Sequence, residues 1–369
     1  MGCGTMAKAM QHHTDRLKTR GYRTLRLVLV ADTHLGFDWT ARPRVRRRRR
    51  GEEFFNAFNQ VIAYAKRMPA DALVHGGDLF FRSKVTDALV HKVYTTLCGL
   101  ADTGIPIYVV PGNHERAKLP TSLLLAHRNI HVFHTPRTYT LQARGLRLNL
   151  TGFPYTRDIR VRFSPIVAAS GHDRPADAKV LCMHQSVWGA SAGCPAYTFR
   201  HGPDVIRQQD IPPYFDLVVS GHMHKAQVLD RRTAPGRLTV PVVYPGATCP
   251  TSMAERLEQK GFYTCTITVR PDQPNRIALC FVPLPSRPMV VIRLDLDRVQ
   301  DAQAALRAKL AALDRHAIVR VRVLKHNRVV LPPFGVQAAR KLAPDTMTLS
   351  LAYPRPSDKL HPRTAQPAQ

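Results

Sequence analysis

Short apolar runs alternate along the first two thirds of the chain with longer stretches in which apolar residues recur every three or four positions. The runs are Leu25–Val30, Ala72–His75, Ile105–Val110, Val180–Met183, Leu217–Val219 and Val240–Tyr244. Their length suits strands buried on both faces. Phe54, Phe55, Phe58, Val61, Ile62 and Ala65 share one face of a helix over 52–66, and a second helix is expected over 85–100. Strands alternating with helices predict a layered α/β fold. Pro283-Leu284-Pro285-Ser286-Arg287-Pro288 then interrupts the pattern, because proline cannot continue a strand ladder. Beyond it the alternation resumes with a strand over 289–296, a helix over 302–313, a strand over 317–324, a short helix over 337–342 and a strand over 346–352, a compact βαβαβ-like module. The expected organisation is a large domain over 24–284 and a small one over 285–353. Polar tails at 1–23 and 354–369 lack apolar periodicity and are expected to be disordered.

The strands of the large domain end on polar clusters in a fixed order. These are Asp32-Thr33-His34, Gly76-Gly77-Asp78, Pro111-Gly112-Asn113-His114-Glu115, His184-Gln185 and Gly221-His222-Met223-His224. The C-terminal ends of strands in such a sheet converge on one edge. Asp32 and His34 are two residues apart, which on an extended chain points both side chains the same way. Asp78 follows two glycines, which allow a sharp turn and close approach of an ion. Its two carboxylate oxygens make it the natural shared ligand. Asn113 offers a neutral oxygen, and His184, His222 and His224 offer imidazole. Such a set suits manganese, iron or zinc better than calcium. Two such ions about 3.5–4 Å apart stabilise attacking and leaving oxygens in a displacement at phosphorus. His114 stands beside a ligand and is placed to act as general acid or to contact the phosphate as a cation. Taken singly, D-x-H or H-x-H is a weak signal, and Asn113 could simply serve its turn. Five clusters with suitable donors at successive strand ends are a strong one. His75, inside an apolar strand, reads as a core histidine.

Charge changes the picture of the substrate. Lys and Arg number 54 against 26 Asp and Glu, a formal net charge of +28. That excess favours a polyanionic partner, nucleic acid before membrane, although an arginine-rich genome could supply part of it. Arg42, Arg44, Arg46, Arg47, Arg48, Arg49 and Arg50 form a dense basic loop just after the first cluster. It could grip phosphates without regard to sequence, or be a solvated run. Trp39 and Trp188 could stack on bases or pack internally. The seven cysteines are widely spaced with no C-x-x-C, as expected of reduced thiols in a cytoplasmic, nucleoid-associated protein. No apolar stretch has the length of a membrane span, and the first 20 residues, which have no apolar core, are not expected to act as a secretory signal.

The series Asp32-x-His34, Gly77-Asp78, Gly112-Asn113-His114-Glu115, His184 and Gly221-His222-x-His224 resembles the calcineurin-like metallophosphoesterase superfamily. Within it, Ala31-Asp32-Thr33-His34-Leu35-Gly36, Gly77-Asp78-Leu79-Phe80, Tyr244-Pro245-Gly246 and Lys260-Gly261-Phe262-Tyr263 resemble the SbcD-type nucleases of DNA double-strand-break repair. The resemblance implies a four-layer α/β-sandwich nuclease domain, a small α+β DNA-capping domain, a homodimer and two Mn²⁺ ions. It implies that Asp32, His34, Asp78 and His224 hold one ion, that Asp78, Asn113, His184 and His222 hold the other, and that His114 is the catalytic histidine. Phe81 stands where many repair nucleases carry histidine. Relatives often continue into a helical segment that docks on an SbcC-like coiled-coil ATPase, and here such a segment is expected to be short or absent. The expected function is a two-metal DNA phosphodiesterase with exonuclease or endonuclease activity. The alternatives are a phosphoesterase of the same fold acting on a small phosphate ester or phosphoprotein, and a non-catalytic DNA-binding scaffold.

Overall fold

The computed structural model describes residues 23–38, 49–68, 70–116, 118–120, 127–193, 197–231, 233, 238–271, 273–324 and 335–353. Trp39, Arg42, Arg44, Arg46, Arg47, Arg48 and the expected tail segments 1–22 and 354–369 lie outside the described residues. The chain forms two compact units, one ending at Ser286 and the other beginning at Arg287.

In the first unit, strands of three or more residues are β1 (Arg23–Val30), β2 (Ala72–His75), β3 (Ile107–Val109), β4 (Ile130–Val132), β5 (Arg137–Ala143) and β6 (Leu146–Gly152). They continue with β7 (Ala178–Met183), β8 (Leu217–Ser220), β9 (Gln227–Leu229), β10 (Val242–Tyr244), β11 (Gly261–Val269) and β12 (Arg276–Pro283). The helices are α1 (Gly51–Arg67), α2 (Asp87–Ala101) and α3 (Ile159–Ala168). One six-stranded sheet has the order β12-β11-β1-β2-β3-β4, with β1 to β4 parallel. The other has the order β9-β10-β8-β7-β6-β5, with β10, β8, β7 and β6 parallel.

Strand parity sorts the apolar side chains into layers. Leu25, Leu27 and Leu29 of β1 point between the sheets and meet Leu148, Leu150, Val180 and Val219. Val28 and Val30 point the other way, against Phe54, Phe58, Val61 and Ile62 of α1. Behind the second sheet, Phe163 and Val167 of α3 cover Leu181, Met183 and Val218. The order helix, sheet, sheet, helix is the four-layer α/β sandwich that the alternation and the resemblance led us to expect. All four residues of β2 are buried, as a strand covered on both faces requires.

The second unit is a three-stranded parallel sheet of β13 (Met289–Asp295), β14 (Ile318–Leu324) and β15 (Thr348–Ala352), with α4 (Ala302–Ala311) and α5 (Val336–Lys341). It has its own core of Leu294, Leu306, Leu310, Val319, Val321 and Leu349. Asp301 caps α4 by accepting from the Gln303 and Ala304 amides. The five described cysteines are free thiols. Among the described residues no helix is long and apolar enough to cross a membrane.

Candidate metal centre

The clusters fall where β1, β2, β3, β7 and β8 end. The Asp32 amide donates to the Gly77 carbonyl at 2.9 Å, His34 to Asp78 at 3.0 Å and Leu35 to Leu79 at 2.8 Å. The loops after β1 and β2 are thereby laced side by side. The backbone here corrects one expectation. Asp32 and His34 are not extended but left-handed, with φ of 50° and 45°, and Asp78 and His222 share that region at 54° and 82°. Side-chain alternation therefore does not aim these residues; the inter-loop hydrogen bonds do. Each such conformation costs about 1–3 kcal/mol, and such strain persists where surroundings over-determine it, often at functional sites. His75 supplies part of that support. Its Nδ1 accepts from the Gly77 amide at 3.3 Å, its Nε2 lies 3.0 Å from Thr33 Oγ1, and Thr33 donates on to the Leu79 carbonyl at 3.1 Å. The core histidine is a staple between the two loops.

The seven side chains singled out as ligands come together. His34 Nε2 and His224 Nε2 are 2.9 Å apart, and His224 Nε2 is 3.9 Å from Asp32 Oδ1. Asn113 Oδ1 is 2.9 Å from His184 Nε2 and 3.0 Å from His222 Nδ1. Asp78 Oδ2 lies between the groups, 3.4 Å from His184, 3.9 Å from His114 and 4.0 Å from His34. Glycine is required for this crowding. A Cβ on Gly77 would stand 2.2 Å from His184 Nδ1, and one on Gly112 would stand 2.1 Å from Asp78 Oδ1.

Burial and mutual contact perturb the titratable groups of the cluster strongly. Burial would raise the Asp78 carboxyl, but the His184 and His34 rings outweigh it and hold it below the usual carboxylate range. Burial would lower His184, yet Asp78 and Asp32 hold it raised. His222 is pushed down to about 3 by burial and by His184. Ring nitrogens and carboxylate oxygens crowd around one buried space, with His34 Nε2 facing His224 and Asp78. His184 Nδ1 is engaged with the Gly76 carbonyl at 2.8 Å, so Nε2 is the ring nitrogen that faces Asn113 Oδ1. A set that mixes imidazole nitrogens with carboxylate and amide oxygens fits borderline transition metals. Asp32, His34 and His224, and separately Asp32, Asp78 and His184, bring donor atoms within 4.8 Å of one another.

His114 is on the rim, with its side chain 35% exposed. Its amide donates to Asp78 Oδ1 at 2.9 Å and its Nδ1 lies 2.8 Å from the Phe81 carbonyl, so Nε2 turns toward the centre. Phe81 packs beside it at 5.5 Å between ring centroids. Sequence reasoning assigned no role to Glu115, which ties two loops by accepting from the Phe80 amide at 2.7 Å and the Gly112 amide at 2.6 Å. Burial and the nearby Asp78 push its carboxyl up to about 8. Glu255 behind His224 was missed as well, and Lys260 entered only as part of a stretch resembling the family, with no role; the contacts that give both a place at the site are long-range, and periodicity carries no trace of them. Two members of the arginine run are engaged within the protein. Arg49 pairs with Asp38 at 3.0 Å. Arg50 is buried, donates to the Pro250 carbonyl at 2.8 Å and stands over the Phe37 and Phe54 rings. This corrects its place in a phosphate-gripping arm, because its guanidinium is already satisfied.

The profile of the calcineurin-like phosphoesterase family matches residues 25–226, more than half of the chain. The chain belongs to that family. Its members are metal-dependent hydrolases of phosphoesters, and the His/Asp cluster is the candidate metal-binding site. The chain is 24% identical over 250 residues to the DNA double-strand break repair protein Mre11 of Methanopyrus kandleri, covering 64% of this chain and 51% of that protein. It is 26% identical over 170 residues to the Mre11 protein of Saccharolobus solfataricus, covering 44% and 42%. It is 26% identical over 225 residues to the metallophosphoesterase YhaO of Bacillus subtilis, covering 59% and 50%. The chain thus spans about half the length of these curated relatives, or less.

Proposed function

We propose that this chain is a two-metal DNA phosphodiesterase of the Mre11/SbcD kind. The observation that carries the proposal is the convergence of seven nitrogen and oxygen donors on one buried space, with His114 Nε2 3.9 Å from Asp78 Oδ2 at its rim. Asp32, His34, Asp78 and His224 would hold one cation, and Asp78, Asn113, His184 and His222 the other. Bound there, two divalent cations such as Mn²⁺ supply Lewis acidity to a phosphate oxygen and acidify water.

The chain's own residues do the rest. Asp78, fixed by the His114 amide, contributes one oxygen from a position shared by both donor groups. The Phe81 carbonyl accepts from Nδ1–H of His114, so Nε2 is the nitrogen that hands a proton to the leaving oxygen. DNA is favoured as substrate by the net charge of +28 and by similarity to proteins named for double-strand-break repair.

The test is cleavage of end-labelled linear and hairpin DNA with Mn²⁺, with and without chelator, beside a chromogenic phosphodiester. Chelator-sensitive cleavage of DNA supports the proposal. Turnover of the small ester with intact DNA would favour the phosphate-ester alternative, and metal-independent DNA binding without cleavage would favour a scaffold.

A further inference from the structure

We infer that Glu255 is a positioning residue that decides which nitrogen of His224 faces the metal centre, and that Lys260 holds Glu255 in place; this rests on His224 being a ligand. Glu255 closes a short turn, Met253–Glu255, and its side chain is 8% exposed. Its Oε1 takes the His224 Nδ1 contact at 3.2 Å and accepts from Thr251 Oγ1 at 2.6 Å. Its Oε2 accepts from Lys260 Nζ at 2.6 Å. Lys260 has no exposed side-chain surface. Its ammonium has three donors, and three acceptors take them: Glu255 Oε2, Glu258 Oε2 at 2.8 Å and the His224 carbonyl at 3.0 Å. Lys260 thus grips His224 twice, directly at its backbone and through Glu255 at its ring.

The consequence follows from imidazole chemistry. A neutral ring carries one proton, and a metal takes the nitrogen that lacks it. With Nδ1–H given to the Glu255 carboxylate, the lone pair is on Nε2, the atom 2.9 Å from His34 Nε2. Without Glu255 only the Thr251 hydroxyl, at 3.4 Å, remains beside Nδ1, and the proton can move to Nε2 and occupy the position a cation needs. A carboxylate behind a ligating histidine typically changes metal affinity about 10–100-fold. The rival account is a buried ion pair that only supports the fold. Such a pair has no need of a histidine, yet here one carboxylate oxygen faces the lysine and the other faces the ring.

The experiment is a titration of the full chain with Mn²⁺, following free ion by electron paramagnetic resonance. Its comparison set is wild type, Glu255→Ala, His224→Ala and the double variant Glu255→Leu/Lys260→Met. Apolar replacement of a buried pair is often neutral for folding, so the double variant keeps the test informative if Glu255→Ala does not fold. We expect two sites in wild type and one site weakened about 10–100-fold in the folded Glu255 variants, with the other unchanged. Two wild-type sites in the folded double variant would overturn the inference and leave a structural pair. If His224→Ala also keeps both sites, the ligand assignment itself has failed; if it loses one while the Glu255 variants keep both, only the role of Glu255 has.

Discussion

Asp78 carries more constraints than any other residue of the centre. Its Oδ1 accepts from the His114 amide, its Oδ2 faces three imidazoles, and Gly112 leaves no room for a Cβ beside it. Asp78→Asn keeps the shape and removes the charge shared by both donor groups. On the proposed reading it should abolish hydrolysis and leave DNA binding in place; near-full Mn²⁺-dependent activity in this variant would refute the assignment. His114 differs from the others in exposure and in the Phe81 contact that orients its ring. His114→Ala should lower turnover by about 10²–10⁴-fold, the usual worth of a positioned acid or base. Elemental analysis should still find two metals per chain. Loss of metal would make His114 a ligand instead, a role for which its closeness to His34 and Asp78 leaves room.

At the scale of elements, the candidate metal centre is a product of strand ends held in unusual backbone. The strands that deliver it were legible because they are buried on both faces and therefore read as unbroken apolar runs, as in Ala72–His75 and Leu217–Ser220. The hairpins β5–β6 and β11–β12 were not read. β5 and β12 are both half-exposed edge strands; polar residues break β5 into no run at all, while β12 holds the apolar run Ile277–Val282 that went unread, and the β5–β6 pairing depends on the Arg144-Gly145 turn. Helix α3 escaped because Pro165 and the exposed Arg162 and Val161 blur its periodicity. Residue types in the ligand loops were legible, but their left-handed backbone was not, since only the hydrogen bonds between loops impose it. Gly77 tests this account. Its φ is 106° and a Cβ would meet His184. Gly77→Ala should destabilise the fold by more than about 1 kcal/mol and displace His184 from the centre. Denaturant melts and metal titration check both effects, and a variant with wild-type stability and metal content would show that the loop yields easily.

Across the whole molecule the net charge of +28 supplies a long-range pull on a polyanion, but it does not say which arginines touch phosphate. The run Arg46 to Arg50 divides on this point. Arg50 is buried against Phe37 and Phe54 and donates to the Pro250 carbonyl, so its charge is already used inside the fold. Arg46, Arg47 and Arg48 lie outside the described residues, and they follow the first metal cluster closely in sequence. Replacing these three with glutamine should weaken binding to every DNA sequence about equally, because a run of guanidinium groups meets the backbone and not base edges. The slope of log affinity against log salt should flatten by about 0.9 for each phosphate that the variant no longer neutralises. Arg50→Ala should act differently, lowering the melting temperature and leaving the slope of the folded protein unchanged. Binding titrations at several salt concentrations separate the two classes. An unchanged slope in the triple variant would show the run to be a solvated bystander, and a flattened slope in Arg50→Ala would show that its guanidinium reaches DNA after all.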